Sequence, residues 1–234
     1  DVGYQAFSLL KTGRDLYGQA FPTYIHSLAE WRTPLLMYYT VPTIAIFGNT
    51  ELGVRTPEVI LGALAPLILF LLIYQLSRSK TLSLLGSLIL AILPWHILYS
   101  RAAFESVLLL DFIMLATLLF LKKRYFVSLL LFFLTPYIYS TAVVFTPLWL
   151  VALCFLYRPK FPKSSFLLLL ILVPFGLSLL SGRAAERFGR VGLFSNSEIT
   201  DQLTNLRNEA KSPWEKIFSN RPLFVATRIY NNYL

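Results

Sequence analysis

The amino-acid sequence predicts an all-α polytopic membrane protein with about six transmembrane helices and an outer-face loop that carries interfacial helices. The first observation is composition: 56% of the 234 residues are hydrophobic and 14% are charged, whereas soluble domains carry about 25% charged residues. The second is a succession of six largely apolar runs, more than a water-soluble core can bury. The third is that short basic loops separate every other run. The runs are residues 59–76, 81–99, 107–121, 126–139, 141–157 and 165–180.

The basic loops set the expected orientation of the chain. Three short loops together hold eight Lys and Arg residues and no acidic residue, whereas the alternate connections hold Arg101. By the positive-inside rule these three loops are cytoplasmic, which predicts a multi-pass protein of the cell membrane, of the bacterial inner-membrane type. The basic loops are residues 77–80, 122–124 and 158–163. The predicted regions are an extracytoplasmic loop with interfacial helices (1–54), a six-helix transmembrane region (55–181) and a truncated extracytoplasmic loop (182–234).

The positive net charge of the chain comes mainly from the same basic loops. The net charge is +9 and the pI is near 9.7, and such values are typical of proteins that bind nucleic acid. The three basic loops account for +8 of that charge, so the charge indicates the membrane topology of the chain and not nucleic-acid binding. We therefore expect membrane lipids, and no nucleic acid, among the partners.

A further apolar stretch, residues 34–47, lies within the first outer loop. It contains Pro42 and is too short to cross a bilayer, which takes about 20 residues. The stretch therefore predicts a helix that lies in the membrane interface, with Tyr38 and Tyr39 at the level of the headgroups.

The first group of candidate functional residues lies where the second apolar run ends. Residues 94–105 place His96, Arg101 and Glu105 around one membrane-embedded turn, and Arg101 and Glu105 would share a helical face. One interpretation is a snorkelling arginine with a satisfied partner. The other is an outward-facing site of low dielectric constant that handles a charged ligand.

A second group, Glu30 and Arg32, directly precedes the predicted interfacial helix. Arg32 is placed to meet an anionic headgroup, and Glu30 could hold a divalent metal ion or orient Arg32. An ordinary solvated loop pair is the alternative. The sequence contains no nucleotide-binding or hydrolase motif, so a transferase would need an activated donor delivered within the membrane.

Several stretches, in order along nearly the whole chain, resemble membrane glycosyltransferases of the protein O-mannosyltransferase and aminoarabinose-transferase type, particularly their bacterial members. The longest and most distinctive is PWHILYSRAAFE, which begins at Pro94. The similar stretches are residues 3–15, 30–35, 54–57, 94–97 and 100–105 and, in the outer tail, 187–191 and 231–234.

The resemblance implies a C-type glycosyltransferase (GT-C) fold and transfer of a sugar from a polyprenyl-phosphate carrier to a protein, lipid or glycan acceptor on the extracytoplasmic face. By the same resemblance, Glu105 matches an acidic catalytic position. Arg32 and Arg101, with His96 beside them, would bind the donor phosphate, and Glu30 would hold the metal ion.

One departure concerns the catalytic carboxylate. In the family it belongs to an Asp-Glu pair a few residues before a Gly-Tyr, whereas here Asp1 stands two residues before Gly3 and is followed by Val2. We therefore expect the pair upstream of residue 1, the chain to be a fragment, and Asp1 to be a second candidate base. The alternatives are a multi-pass transporter or lipid flippase, although the sequence lacks the repeats typical of transporters, and a catalytically incomplete membrane subunit.

Overall fold

The computed structural model describes residues 1–27 and 30–180, and this part of the chain is predominantly helical. The predicted outer loop 182–234, with the stretches 187–191 and 231–234, lies outside the described residues. The elements in chain order are α1 (Val2–Thr12), β1 (Ile25–Ser27), β2 (Glu30–Arg32), α2 (Leu35–Phe47), α3 (Glu51–Ser77), α4 (Lys80–Ile92), α5 (Pro94–Ser100), α6 (Glu105–Leu121), α7 (Tyr125–Leu134), a 3₁₀ segment (Thr135–Tyr137), α8 (Ala142–Tyr157), a second 3₁₀ segment (Lys163–Ile171) and α9 (Leu172–Leu180).

All six apolar runs are helical, but six transmembrane helices are not confirmed. Within the described residues, α3, with 27 residues, is the one helix long and apolar enough to cross a membrane. A second span results only if α4 and α5, which meet at an angle of 60°, are counted together. Leu93 between them is extended and Pro94 opens α5, so the hydrogen-bonded ladder breaks at this point. The other apolar helices are shorter.

Helix α3 begins earlier than the apolar run suggests. Its N-cap is Thr50, whose side chain accepts a hydrogen bond from the Gly53 amide at 3.2 Å. The helix therefore includes Arg55 and Glu58 in its first turns, and the predicted boundary between residues 54 and 55 lies inside it.

A small antiparallel hairpin departs from the all-α prediction. Strands β1 and β2 pair Ile25 with Arg32, and the Gln5 side-chain amide of α1 donates to the His26 carbonyl at 2.9 Å. Immediately after β2, the Thr33 hydroxyl donates to the Ile138 carbonyl at 2.6 Å. The hairpin is thus held between α1 and the segment that follows α7.

We expect Thr33→Val to destabilise the protein by about 1–3 kcal/mol, because the buried carbonyl of Ile138 would lose its donor. Unfolding of the detergent-solubilised protein by denaturant measures this loss. The matched control is Thr81→Val, since Thr81 is exposed on α4 and should stay within about 0.5 kcal/mol of wild type. Equal effects of the two substitutions would contradict the assigned role of Thr33.

The predicted helix after the hairpin is present as α2, with Pro42 inside it. The Tyr38 hydroxyl donates to the Pro22 carbonyl at 3.0 Å. Burial and the nearby charge of Asp15 raise the pKa of Tyr38 to about 12, so this phenol stays protonated even above the pH at which an exposed tyrosine ionises. Placement of α2 in the membrane interface stays a prediction.

The connection from α2 to α3 is tightly packed around Gly53. The Thr43 hydroxyl of α2 donates to the Gly53 carbonyl at 2.6 Å. A Cβ on Gly53 would collide with the backbone carbonyl of Gly48. Only glycine therefore fits at position 53. The close approach that it permits sets the direction of α3 relative to α2.

Helix α3 also crosses α5 at close range. A Cβ on Gly62 would collide with the side chain of Ser100, whose hydroxyl donates back to the His96 carbonyl at 2.6 Å. Helix α6 packs along α3 as well, and its Val107 and Leu108 join Leu61 in one buried apolar cluster. These contacts bring the first turns of α3 beside residues 94–111.

Candidate functional site

Two clefts lie around the start of α3. The first has a volume of about 450 Å³ and is bounded by the beginning of α1, the connection from α2 to α3, and Ala102 and Ala103. A Cβ on Gly3 would lie 2.6 Å from both Asn49 and Val54, so this glycine lets α1 approach the connection closely. The charged side chains that line this cleft are Asp1, Glu51 and Arg55.

The second cleft, of about 550 Å³, is bounded by α5 and the turn after it. Its wall combines the apolar side chains of Pro94, Ile97 and Leu98 with two guanidinium groups, those of Arg55 and Arg101. Arg55 and Ala102 line both clefts, which therefore adjoin. A cationic site with an apolar wall suits a ligand that carries a phosphate on a hydrocarbon chain.

Asp1 lies in the first cleft as the N-cap of α1. One of its carboxylate oxygens accepts a hydrogen bond from the Ser27 hydroxyl, so strand β1 helps to hold the side chain. The structure therefore places this candidate base in the same cleft as Arg55.

Arg101 and His96 differ in their accessibility. Arg101 is exposed at the end of α5 and lines the second cleft. His96 is 3% exposed, its Nε2 lacks a hydrogen-bond partner among the described residues, and it lines neither cleft. The structure thus gives Arg101 access to a ligand and keeps His96 in the interior.

Glu105 is buried in the first turn of α6, with 7% of its surface exposed. A carboxylate at a helix N-terminus is favoured by the helix dipole. The turn that precedes it, Arg101–Phe104, contributes Ala102 to both clefts. Glu105 itself lines neither of them, although it directly follows their shared wall.

Arg32 lies in β2 and lines neither cleft. The backbone of Glu30, in the same strand, pairs with Ser27. Arg32 is half-buried and engaged in an interaction, while only the backbone of Glu30 is described. In the part of the chain that the structure describes, no group of three or more His, Cys, Asp or Glu side chains could hold a metal ion. Glu30 as a metal ligand therefore stays a prediction.

Two ionisable residues were not among the predicted site residues. Arg55 is a charged side chain that lines both clefts. Glu58 is completely buried on α3. The signal that could have identified Glu58 is an acidic residue directly before the apolar run 59–76. Ionisable residues in membrane segments are rare and usually have a function.

The helical fold, the span-length helix α3 and the two arginines that line the second cleft suit a helical membrane protein with a basic ligand site. A family model for dolichyl-phosphate-mannose-protein mannosyltransferase matches residues 23–181, more than half of the chain. The chain belongs to this glycosyltransferase family, which confirms the resemblance found in the sequence. No curated protein and no solved structure matches the chain.

Proposed function

We propose that the chain is a glycosyltransferase that moves a sugar, mannose by family membership, from a polyprenyl-phosphate donor to an acceptor hydroxyl on the extracytoplasmic face of the membrane. The observation that carries the proposal is the family match over residues 23–181. The adjoining clefts support it, since Arg55 and Arg101 both line the second cleft together with apolar side chains. A protein acceptor follows from the family description, with lipid and glycan acceptors as alternatives.

In the proposed reaction the acceptor oxygen attacks the anomeric carbon of the sugar, and the bond from that carbon to the phosphate oxygen breaks. The hydroxyl proton passes to a carboxylate, for which Glu105 and Asp1 are the candidates. Polyprenyl phosphate leaves with an additional negative charge, which the guanidinium groups of Arg55 and Arg101 stabilise as it develops. No step in this scheme uses a metal ion.

Arg101→Ala and Arg55→Ala are each expected to lower sugar transfer by about 10²–10³-fold, because each removes a cation from the departing phosphate. The measurement is transfer of labelled mannose from polyprenyl-phosphate-mannose by the full-length protein in liposomes. Lys80→Ala is the control. It removes one exposed cation at the first residue of α4, about 20 Å along the helix from Pro94 of the second cleft at 1.5 Å per residue, and should transfer at the wild-type rate.

The same liposomes separate the other interpretations. A flippase or transporter would move the lipid-linked sugar across the bilayer without joining it to an acceptor, and both quantities can be measured in one preparation. Wild-type transfer by both arginine variants would contradict the proposed phosphate site. A folded full-length protein that transfers no sugar would favour the catalytically incomplete subunit.

A further inference from the structure

Two acidic side chains are buried without partners where α3 packs on α6. Glu58 of α3 is 0% exposed and Asp111 of α6 is 3% exposed. None of their four carboxylate oxygens has a hydrogen-bond partner among the described residues. The ion pair at the start of α3, Glu51 with Arg55 at 2.7 Å, is solvent-exposed and leaves Glu58 out.

Among the described residues, the charged groups that act electrostatically on Glu58 are themselves acidic. Asp111 and Glu105 of α6 both act on Glu58, and Glu58 and Asp111 both act on the Tyr39 phenol of α2. Arg101, directly after α5, is exposed. The ionisable side chains of α5 are Tyr99 and His96, and His96 is buried with its Nε2 unpartnered among the described residues. Glu58 therefore faces carboxylates and a phenol from two neighbouring helices.

Such an arrangement requires positive charge from outside the described residues. Burying an ionised carboxylate without a partner costs much free energy. Burying two that repel each other across a helix interface costs more. Proteins accommodate such groups by pairing them or by neutralising one of them. Because a set of three metal ligands is not found in the described residues, a single positive charge shared by two carboxylates fits better than a chelated divalent ion.

We propose that Glu58 and Asp111 form a site for one small monovalent cation taken from solution, either a proton or an alkali-metal ion. Its binding neutralises the pair and stabilises the packing of α3 on α6. Neither residue lines the clefts that hold Arg55 and Arg101, although Glu105, a candidate base, is one of the carboxylates that act on Glu58.

The test is the thermal unfolding midpoint of the full-length protein in detergent, measured in mildly acidic and mildly alkaline buffers. The alkaline buffer contains either sodium chloride or choline chloride at equal ionic strength. We expect the wild-type midpoint in alkaline choline buffer to lie about 2–4 °C or more below its value in acidic buffer. A midpoint shift of this size corresponds to a small loss of unfolding free energy in a chain of this length. Recovery in sodium would identify an alkali-metal ion, and no recovery would identify a proton.

Glu58→Gln and Asp111→Asn keep the side-chain size and remove the charge, so each should abolish most of this shift and raise the midpoint in alkaline choline buffer. Glu51→Gln, which neutralises an exposed acid on the same helix, should retain the wild-type shift. The proposal fails if the wild-type midpoint depends on neither pH nor sodium, a result that requires no variant to fold. It also fails if the dependence persists in both Glu58→Gln and Asp111→Asn.

Discussion

Replacing Glu105 by glutamine is expected to lower sugar transfer by about 10²–10⁴-fold, the range associated with loss of a general base. Glutamine has nearly the same size and remains neutral, so it can occupy the first turn of α6 but cannot accept the acceptor proton. Glu105 is 7% exposed and follows the turn that lines both clefts. Substrate binding should change much less than the catalytic rate, because the cationic cleft is untouched.

The matched variant is Glu105→Asp, which keeps a carboxylate and withdraws it by one methylene group. It should retain a measurable part of the activity that glutamine removes, while membrane insertion of both variants equals that of wild type. Asp1→Asn tests the other candidate base in the same assay. Full activity of Glu105→Gln together with loss of activity in Asp1→Asn would assign proton transfer to Asp1 and contradict the role of Glu105.

The second large effect is expected from Gly53→Ala. A Cβ at this position would collide with the Gly48 carbonyl, a backbone atom that cannot rotate away as a side chain can. We expect a loss of about 1–3 kcal/mol of stability, as for other overpacked sites. Transfer activity should also fall, because the displaced backbone carries Asn49, Val54 and Arg55 of the first cleft.

Gly176→Ala is the control for this substitution. Gly176 lies in α9, and a Cβ there would meet no other atom within 4 Å among the described residues. Since alanine favours a helix over glycine by about 1 kcal/mol, this variant should be as stable as wild type or more stable. Denaturant unfolding of the two variants side by side measures the difference, and a neutral Gly53→Ala would show that the connection can move.

The apolar runs were sufficient to predict the helical segments between residues 59 and 180, and a short helix with Pro42 before them. The same signals do not determine how many helices cross the membrane. The run 81–99 divides at Leu93 because Pro94 cannot continue the ladder of α4. The hairpin was missed because each strand has only three residues, too few for a pattern of alternation.

Within the candidate site, local sequence identified Arg101 and Glu105 because they lie in one distinctive stretch. Arg55 and Glu58, in contrast, are placed at the site by packing between segments that are distant in the sequence. Arg55 joins two clefts because α1, α5 and the turn after α5 all converge on the start of α3. Asp111 acts electrostatically on Glu58 because α3 packs along α6. Such pairings depend on tertiary packing, which spacing along one helix does not encode.

The crossing of α3 and α5 has a consequence for how this chain can vary among its relatives. Gly62 and Ser100 occupy a volume that holds one small side chain, so bulk added at one position must be removed at the other. A serine at position 62 would require a glycine at position 100, and a larger residue at either position alone would not fit. The two sites, 38 positions apart in the sequence, should therefore change together through evolution.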